Sequence, residues 1–537
     1  MCAPAALSRP PERRAGHRRG DDRGGRRPIR RGSRPVPPDN RGRAGSGRAG
    51  YGVGAQGDPD GVRPSVGGRR GAAGRTRAAG VVFRRDDHPG RCAGPGQAIG
   101  GKRWDTDSFV TGRVLRLGPR RVRRLPAVRV VLTAETTAGR VRGAAVGPVR
   151  VFRGIPFAHA ERFASPEPPP PWPGVRDASE FGPAAPQSAS RLARVFGPFE
   201  VPQDEHCLSL NVWAPAGERH PVLVFLHGGG FSSGAGRLGW YDGTEFAAAT
   251  DTVVVTVNYR LGALGYLALP GVSAGNLGLL DQLAALRWVR DNIAAFGGDP
   301  ALVTVSGQSG GALSIVAMLA GRSGSGLFRR AILQSTPLGM PPADPDDALT
   351  VGRMLLAELG IADEQRLRQV PVAALLAAQD AVAARRSGAT PPFQLVADGD
   401  LVPADLLTVP RTDVDVLAGT NRDEGAGFFA GEPAAIAAAT ARFFTDSLPR
   451  LSDSLAAGGA APWRYRFDWC PPDSPFGACH GIELPFVLGD AAAWAAAPML
   501  CGQRPGELVD EVRTRWAGFV RAGDPGWRRG TEHRFDG

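Results

Sequence analysis

Residues 127–537 of this 537-residue chain predict an α/β fold with a mostly parallel central sheet flanked by helices. Three observations carry the prediction. The runs 221–226 (PVLVFL) and 253–257 (VVVTV) lack polar alternation, as expected of strands covered on both faces. Leu279, Leu283, Leu286, Val289 and Ile293 recur at spacings of three or four, the stripe of an amphipathic helix. Strand-like and helix-like segments then alternate, the order that parallel strands with covering helices require.

Taken along the chain, 141–143 and 149–152 read as short hairpin strands, 166–173 as a proline-rich loop and 208–212 as a further extended segment. The buried strands 221–226 and 253–257 follow, then the helix 279–296, and a strand at 303–306 running into a helix at 309–319. Later strands are predicted at 331–333, 414–417 and 465–467, with helices at 348–359, 372–385 and 508–519. No internal repeat is present.

Residues 1–126 have a different character. They hold 30 Lys and Arg against 10 Asp and Glu, whereas the remainder holds 35 against 42, so the formal charge of +13 belongs to this segment alone. Large apolar residues hardly adjoin before Val81-Val82-Phe83, and such a stretch cannot bury enough surface to offset its ordering entropy. The expectation is a disordered Arg/Gly-rich extension, or upstream sequence translated from a start placed too early. No methionine lies between Met1 and Met318, so a later start would need an alternative codon near Val130 or Val131. An arginine arm for RNA is the less favoured reading, because aromatic residues are not interleaved with the arginines as base stacking would want. The enzyme-sized remainder needs no polyanionic partner.

The first residues carry no targeting signal, since Pro4, Pro10, Pro11 and an arginine cluster interrupt the apolar stretch. The alanine-rich run 491–499 is too short to span a bilayer. A cytoplasmic location and no membrane partner are expected. The six cysteines, Cys2, Cys92, Cys207, Cys470, Cys479 and Cys501, are scattered and include no C-x-x-C pair, which argues against a disulfide scaffold or a metal site.

Chemistry is concentrated in a few motifs. Gly307-Gln308-Ser309-Gly310-Gly311 fits the G-x-S-x-G pattern, in which a sharp strand-to-helix turn lifts a serine hydroxyl above the sheet. The bare pattern is weak in a chain with 74 glycines; the apolar strand leading in and the helix leading out give it meaning. His227-Gly228-Gly229-Gly230 follows the first buried strand, where a glycine run lets backbone N–H groups face a developing oxyanion. A serine needs a base. Of the eight histidines, His17 and His88 fall in the basic segment, His159, His206 and His220 precede the sheet core, His227 shapes the glycine loop and His533 is almost terminal. His480, bracketed by Gly477 and Gly481, remains. The acid should lie between Ser309 and His480 at a strand end, in the loop Asn421-Arg422-Asp423-Glu424-Gly425, and spacing does not choose between Asp423 and Glu424.

These motifs sit among longer stretches that together resemble the type-B carboxylesterases, the group of bacterial esterases, fungal lipases and cholinesterases. The stretches are Phe152-Arg153-Gly154-Ile155-Pro156-Phe157-Ala158, Cys207-Leu208-Ser209-Leu210-Asn211-Val212-Trp213, the His227 loop, Gly278-Leu279-Leu280-Asp281-Gln282, Phe296-Gly297-Gly298-Asp299-Pro300, Gly419 to Gly425, and His480-Gly481-Ile482-Glu483-Leu484-Pro485-Phe486. The resemblance covers about 130–537. It implies the α/β-hydrolase fold, a Ser309–His480–Glu424 triad, and an oxyanion hole from the amides of Gly229, Gly230 and Gly310. It further implies Ser335 as a polar support, a small-molecule ester substrate, and neither a metal nor an organic cofactor. Oligomeric state stays open.

Departures from the family pattern add expectations. Cys207 faces Ala184-Ala185 where its disulfide partner would stand, so a free buried thiol is expected. Gln308 replaces the usual glutamate before the nucleophile, and 187–206 contains no tryptophan, both of which disfavour a quaternary ammonium site. The stretch between Glu424 and His480 looks short, predicting a reduced helical subdomain and a more open site. The resulting expectation is hydrolysis of neutral short-to-medium acyl esters through an acyl-enzyme. Lipase, amidase or thioesterase specificity, or a catalytically silent interaction protein on the same fold, are the alternatives.

Overall fold

The computed structural model describes residues 132–386 and 390–537. The readings made of residues 1–126, the Arg/Gly-rich extension with its histidines and cysteines included, lie outside them.

Among the described residues the main sheet has ten strands. These are β1 (Ala144–Val146), β2 (Val149–Pro156), β3 (Ser209–Ala214), β4 (His220–Leu226), β5 (Val253–Val257), β6 (Gly298–Gln308), β7 (Arg330–Gln334), β8 (Asp415–Asn421), β9 (Trp463–Phe467) and β10 (Glu532–Phe535). They lie in the order β10-β9-β8-β7-β6-β4-β5-β3-β2-β1. From β5 to β10 every pairing is parallel, while β1, β2 and β3 join antiparallel at one edge. The hairpin strands expected near the start exist, each with its own partner. Gly139–Arg142 pairs with Thr133–Thr136 in a small separate sheet, and β2 pairs with β1.

The apolar run of β4 shows why the sheet is covered twice. Val222, Val224 and Leu226 enter one core cluster and Leu223 and Phe225 the other, because successive strand side chains point to opposite faces. The principal helices are α1 (Leu277–Asn292), α2 (Gly310–Ala320), α3 (Pro345–Leu359), α4 (Pro433–Thr440) and α5 (Gly506–Ala522). Leu279, Leu283, Leu286 and Val289 of α1 join the first cluster, and Val512, Trp516, Phe519 and Val520 of α5 join the second. Helix α3 begins three residues earlier than its apolar pattern suggests. Asp344 accepts from the N–H of Asp346 and Pro345 opens the first turn, a capping arrangement that polar residues supply. The short strand β10 and helix α4, alanine-rich with little amphipathic contrast, are not visible in the hydrophobic periodicity.

Cys207 is buried and free, as expected, and burial pushes its thiol pKa up. No helix among the described residues is long and apolar enough to cross a membrane.

Candidate active site

The site is built on the C-terminal ends of the parallel strands. Ser309 follows the last residue of β6 at φ 54° and ψ −120°, a conformation that L residues avoid, and α2 begins at the next residue. Its N–H is tied to the carbonyl of Gln334 at 2.9 Å. A Cβ on Gly307 would lie 2.6 Å from the carbonyl carbon of Gly311, and one on Gly311 would strike the carbonyl oxygen of Leu226 in β4. The two glycines of the motif are therefore a packing requirement of the turn.

Glu424 and His480 come from loops after β8 and β9 that are stitched together. The N–H of Asp423 donates to the carbonyl of Ala478 at 2.9 Å, and the Asn421 side-chain amide donates to the carbonyl of Cys479 at 3.0 Å. This brings Glu424 Oε2 within 2.6 Å of His480 Nδ1, with neither side chain exposed. The second Glu424 oxygen accepts from the N–H of Asn421 at 2.8 Å. Asp423, the other carboxylate that spacing allowed, points elsewhere: it is 31% exposed, pairs with Arg422 and accepts from the N–H of Ala478. Phe428 and Phe444 cover the His480 ring at centroid distances of 4.9 and 5.0 Å.

His480 Nε2 is met by the side-chain amide of Gln308 at 3.0 Å. No hydrogen bond joins it to Ser309 in this structure.

The glycine loop after β4 closes the other side. A Cβ on Gly310 would lie 3.4 Å from the nitrogen of Phe231 and 3.6 Å from that of Gly230, so a single methyl group would bring the start of α2 into van der Waals contact with the loop. Among the described residues the N–H groups of Gly229, Gly230 and Gly310 reach no acceptor, and all three glycines line the cleft that holds Ser309. His227 stands behind them, stacked on Tyr259 at 4.3 Å, and burial lowers its pKa to about 4. Its Nδ1 lies 2.8 Å from the carbonyl of Gly228, and its own carbonyl accepts from the Tyr259 hydroxyl at 2.6 Å. A neutral, anchored ring of this kind shapes the loop. Ser335 is fully buried at φ 51°, held through its N–H to the carbonyl of Gly419, and among the described residues its hydroxyl has no partner.

The sequence reading missed two parts of the site. The first is Glu483, three residues after His480, buried and linked to Asn421 Nδ2 at 2.6 Å and to Gln334 Nε2 at 3.3 Å. Burial, and then the nearby Glu424, raise its pKa to about 7. A charged residue inside the apolar run Ile482-Glu483-Leu484 was the available signal. The second is an aromatic wall. The cleft, with a cavity volume of about 70 Å³, is lined by Leu192, Met340 and the pairs Phe428-Phe429 and Phe443-Phe444. The second pair sits on a π-helical turn, Ala441–Thr445, directly after α4. This revises the expected open site: Ser309 is only 6% exposed and His480 not at all. Counting residues between Glu424 and His480 gives the length of that wall and not the bulk of four phenylalanine rings.

Among the described residues no group of three or more His, Cys, Asp or Glu is arranged to hold a metal ion.

Fold and strand order define the class first: this is an α/β hydrolase, and the neighbouring solved structures are of that kind. They include para-nitrobenzyl esterase, with a TM-score of 0.68 at 33% identity over 74% of this chain and 92% of that one, and a Geobacillus stearothermophilus carboxylesterase with a TM-score of 0.64 at 34% identity over 75% and 93%. A model of the carboxylesterase family matches residues 129–447. A probable N-octanoylanthranilate hydrolase of Rhodococcus erythropolis is 41% identical over 74% of this chain and 94% of its own length. The para-nitrobenzyl esterase of Bacillus subtilis is 36% identical over 73% and 90%. The chain belongs to the carboxylesterase family and is a carboxylic ester hydrolase.

Proposed function

We propose that the enzyme hydrolyses small neutral esters through an acyl-enzyme on Ser309, with His480 as base and Glu424 as its carboxylate partner. Ser309 attacks the ester carbonyl as its proton passes to His480 Nε2, and the tetrahedral oxyanion is received by the amides of Gly229, Gly230 and Gly310. His480 then protonates the departing alcohol, and water repeats the steps on the acyl-enzyme. Glu424 holds the imidazole with its proton on Nδ1 and stabilises the imidazolium. The observation that carries the reading is the fully buried 2.6 Å contact of Glu424 with His480, beside an elbow serine and three N–H groups with no acceptor.

Short-to-medium acyl groups and aryl groups suit a cleft walled by Phe428, Phe429, Phe443 and Phe444. Two relatives are named for substrates that carry a benzene ring, N-octanoylanthranilate and a para-nitrobenzyl ester. Labelling by a fluorophosphonate and hydrolysis of p-nitrophenyl esters test the reading, and both must vanish in Ser309→Ala. One further activity has a specific observation behind it. The relative at 41% identity is named for hydrolysis of an N-acyl compound, so p-nitroanilides of the same acyl groups belong in the series.

A further inference from the structure

We propose that Gln308 is a proton-responsive cap on the base: its carboxamide holds His480 Nε2 in the resting enzyme and must yield that nitrogen before Ser309 can be activated. The inference rests on the reading of His480 as the base.

The chemistry of the contact assigns the hydrogens. Glu424 accepts at Nδ1 from 2.6 Å, so Nδ1 carries the proton and the neutral ring keeps a lone pair on Nε2. A group 3.0 Å from that lone pair must be a donor, and the Gln308 side-chain NH₂ is one. Both ring nitrogens of a fully buried histidine are then satisfied without the serine.

The glycine loop supplies a second, independent observation. Gly228 belongs to the His227-Gly228-Gly229-Gly230 run but is not one of the candidate oxyanion donors. A Cβ there would collide with Gln308 Oε1 and lie 3.1 Å from Ser309 Cβ. Gly228 thus leaves the volume that the Gln308 carboxamide occupies. The carboxamide has a donor end and an acceptor end on a broad, two-fold terminal torsion. When Nε2 gains a proton, the NH₂ end opposes it, and the carboxamide must swing off the nitrogen.

The charged groups near the ring are few. Glu424 faces Nδ1 from the loop after β8, and Glu483 lies beyond Asn421. Arg194 donates to the carbonyls of Ala426 and Phe429, and Phe428 and Phe444 cover the ring without charge. Gln308 is therefore the group that meets Nε2 in the resting site, which makes it a positioning residue whose loss is read in a pH profile.

The test is the pH profile of kcat/KM for an uncharged p-nitrophenyl ester, alongside the pH dependence of fluorophosphonate inactivation, which stays measurable when turnover is slow. Gln308→Met keeps the length and removes the donor, and Gln308→Asn keeps the amide but falls one methylene short. Losing one hydrogen bond to the neutral base should move the acid limb of both variants up by about 0.5–1 pH unit. Gln308→Glu, which adds a negative charge beside the base, should move it further in the same direction. An acid limb unchanged or moved down in both Met and Asn variants would overturn the cap. Fluorophosphonate labelling lost in Ser309→Ala keeps the triad reading separate, since it succeeds or fails whatever Gln308 does.

Discussion

Glu424 Oε2 and His480 Nδ1 stand 2.6 Å apart with no exposure on either side chain. Polar side chains removed from water to this extent are tolerated only when every remaining polar atom is matched. Here the other carboxylate oxygen takes the N–H of Asn421, and Nε2 takes the Gln308 amide. The pair is thus pre-set before substrate arrives, and removing either member leaves its partner buried and unmatched.

Ser309→Ala should abolish ester hydrolysis and leave the melting temperature nearly unchanged, because a small hydroxyl is removed and no core volume is lost. Glu424→Gln should lower kcat by about 10³–10⁴-fold, since the amide cannot hold the imidazole in the same tautomer. Asp423→Asn, at a residue paired with Arg422 away from the ring, should change kcat only a few-fold. Steady-state kinetics of the three purified variants read this directly, and a reversed order for Glu424 and Asp423 would reassign the acid.

Neighbouring glycines of the same loop should differ sharply. Gly229 has φ 115° and its Cβ would strike the carbonyl oxygen of Ser233, so Gly229→Ala must shift the loop and misplace two N–H groups. The loss of one well-placed oxyanion donor is worth about 10²–10³ in kcat. At Gly230, φ is 58° and the nearest atom to an added Cβ is Pro391 Cγ at 3.5 Å, so Gly230→Ala meets only backbone strain of about 1–2 kcal/mol. Gly229→Ala should therefore be at least tenfold less active than Gly230→Ala at equal folded fraction, measured by kcat and circular dichroism together.

Much of this was legible in the chain. Val222 to Leu226 announces a doubly covered strand because every position is apolar, and Gly307 and Gly311 announce the elbow because nothing larger fits. Glu424 could not be separated from Asp423 on spacing. Their difference is which neighbour reaches across, Ala478 and Arg422 to one and His480 to the other, and that is set by tertiary pairing of two loops. Phe443 and Phe444 were hidden for a similar reason. Adjacent aromatics on a π-helical turn do not follow the 3.6-residue stripe that marks a buried face. Glu483 broke the apolar pattern after His480 and was the clearest signal left unread.

Glu483 gives a pH dependence with a definite sign. Its folded-state pKa is raised to about 7, above the 4.5 of a free carboxyl, so between those values the folded protein holds a proton that the unfolded chain releases. The contribution is fully present below about pH 4.5 and is lost as pH rises through 7. Glu483→Gln, neutral throughout and still able to accept from Asn421, should lose less stability than wild type between pH 5 and pH 8. The difference has an upper limit of roughly 3 kcal/mol. Urea midpoints at both pH values test it; parallel pH profiles for the two proteins would show that Glu483 is already ionised in the fold.

Cationic esters should be poor substrates. No Asp or Glu lines the cleft among the described residues, so a quaternary ammonium meets no counter-charge at the wall. Trp240 and Trp494 stack on each other at 5.4 Å and do not line the cleft, which leaves four phenylalanines as its aromatic faces. Tryptophan is the strongest cation-binding ring, and phenylalanine without an accompanying carboxylate offers about 1 kcal/mol or less at a hydrated site. Butyrylthiocholine should accordingly show a kcat/KM at least tenfold below that of an uncharged thiobutyrate ester. Uncharged acyl chains, discriminated by only about 1–3 kcal/mol per methylene, should give a broad profile across the short-to-medium range. A butyrylthiocholine rate equal to that of the uncharged thioester would mean that a cation is accommodated without a carboxylate in the cleft, and the neutral-substrate preference would be wrong.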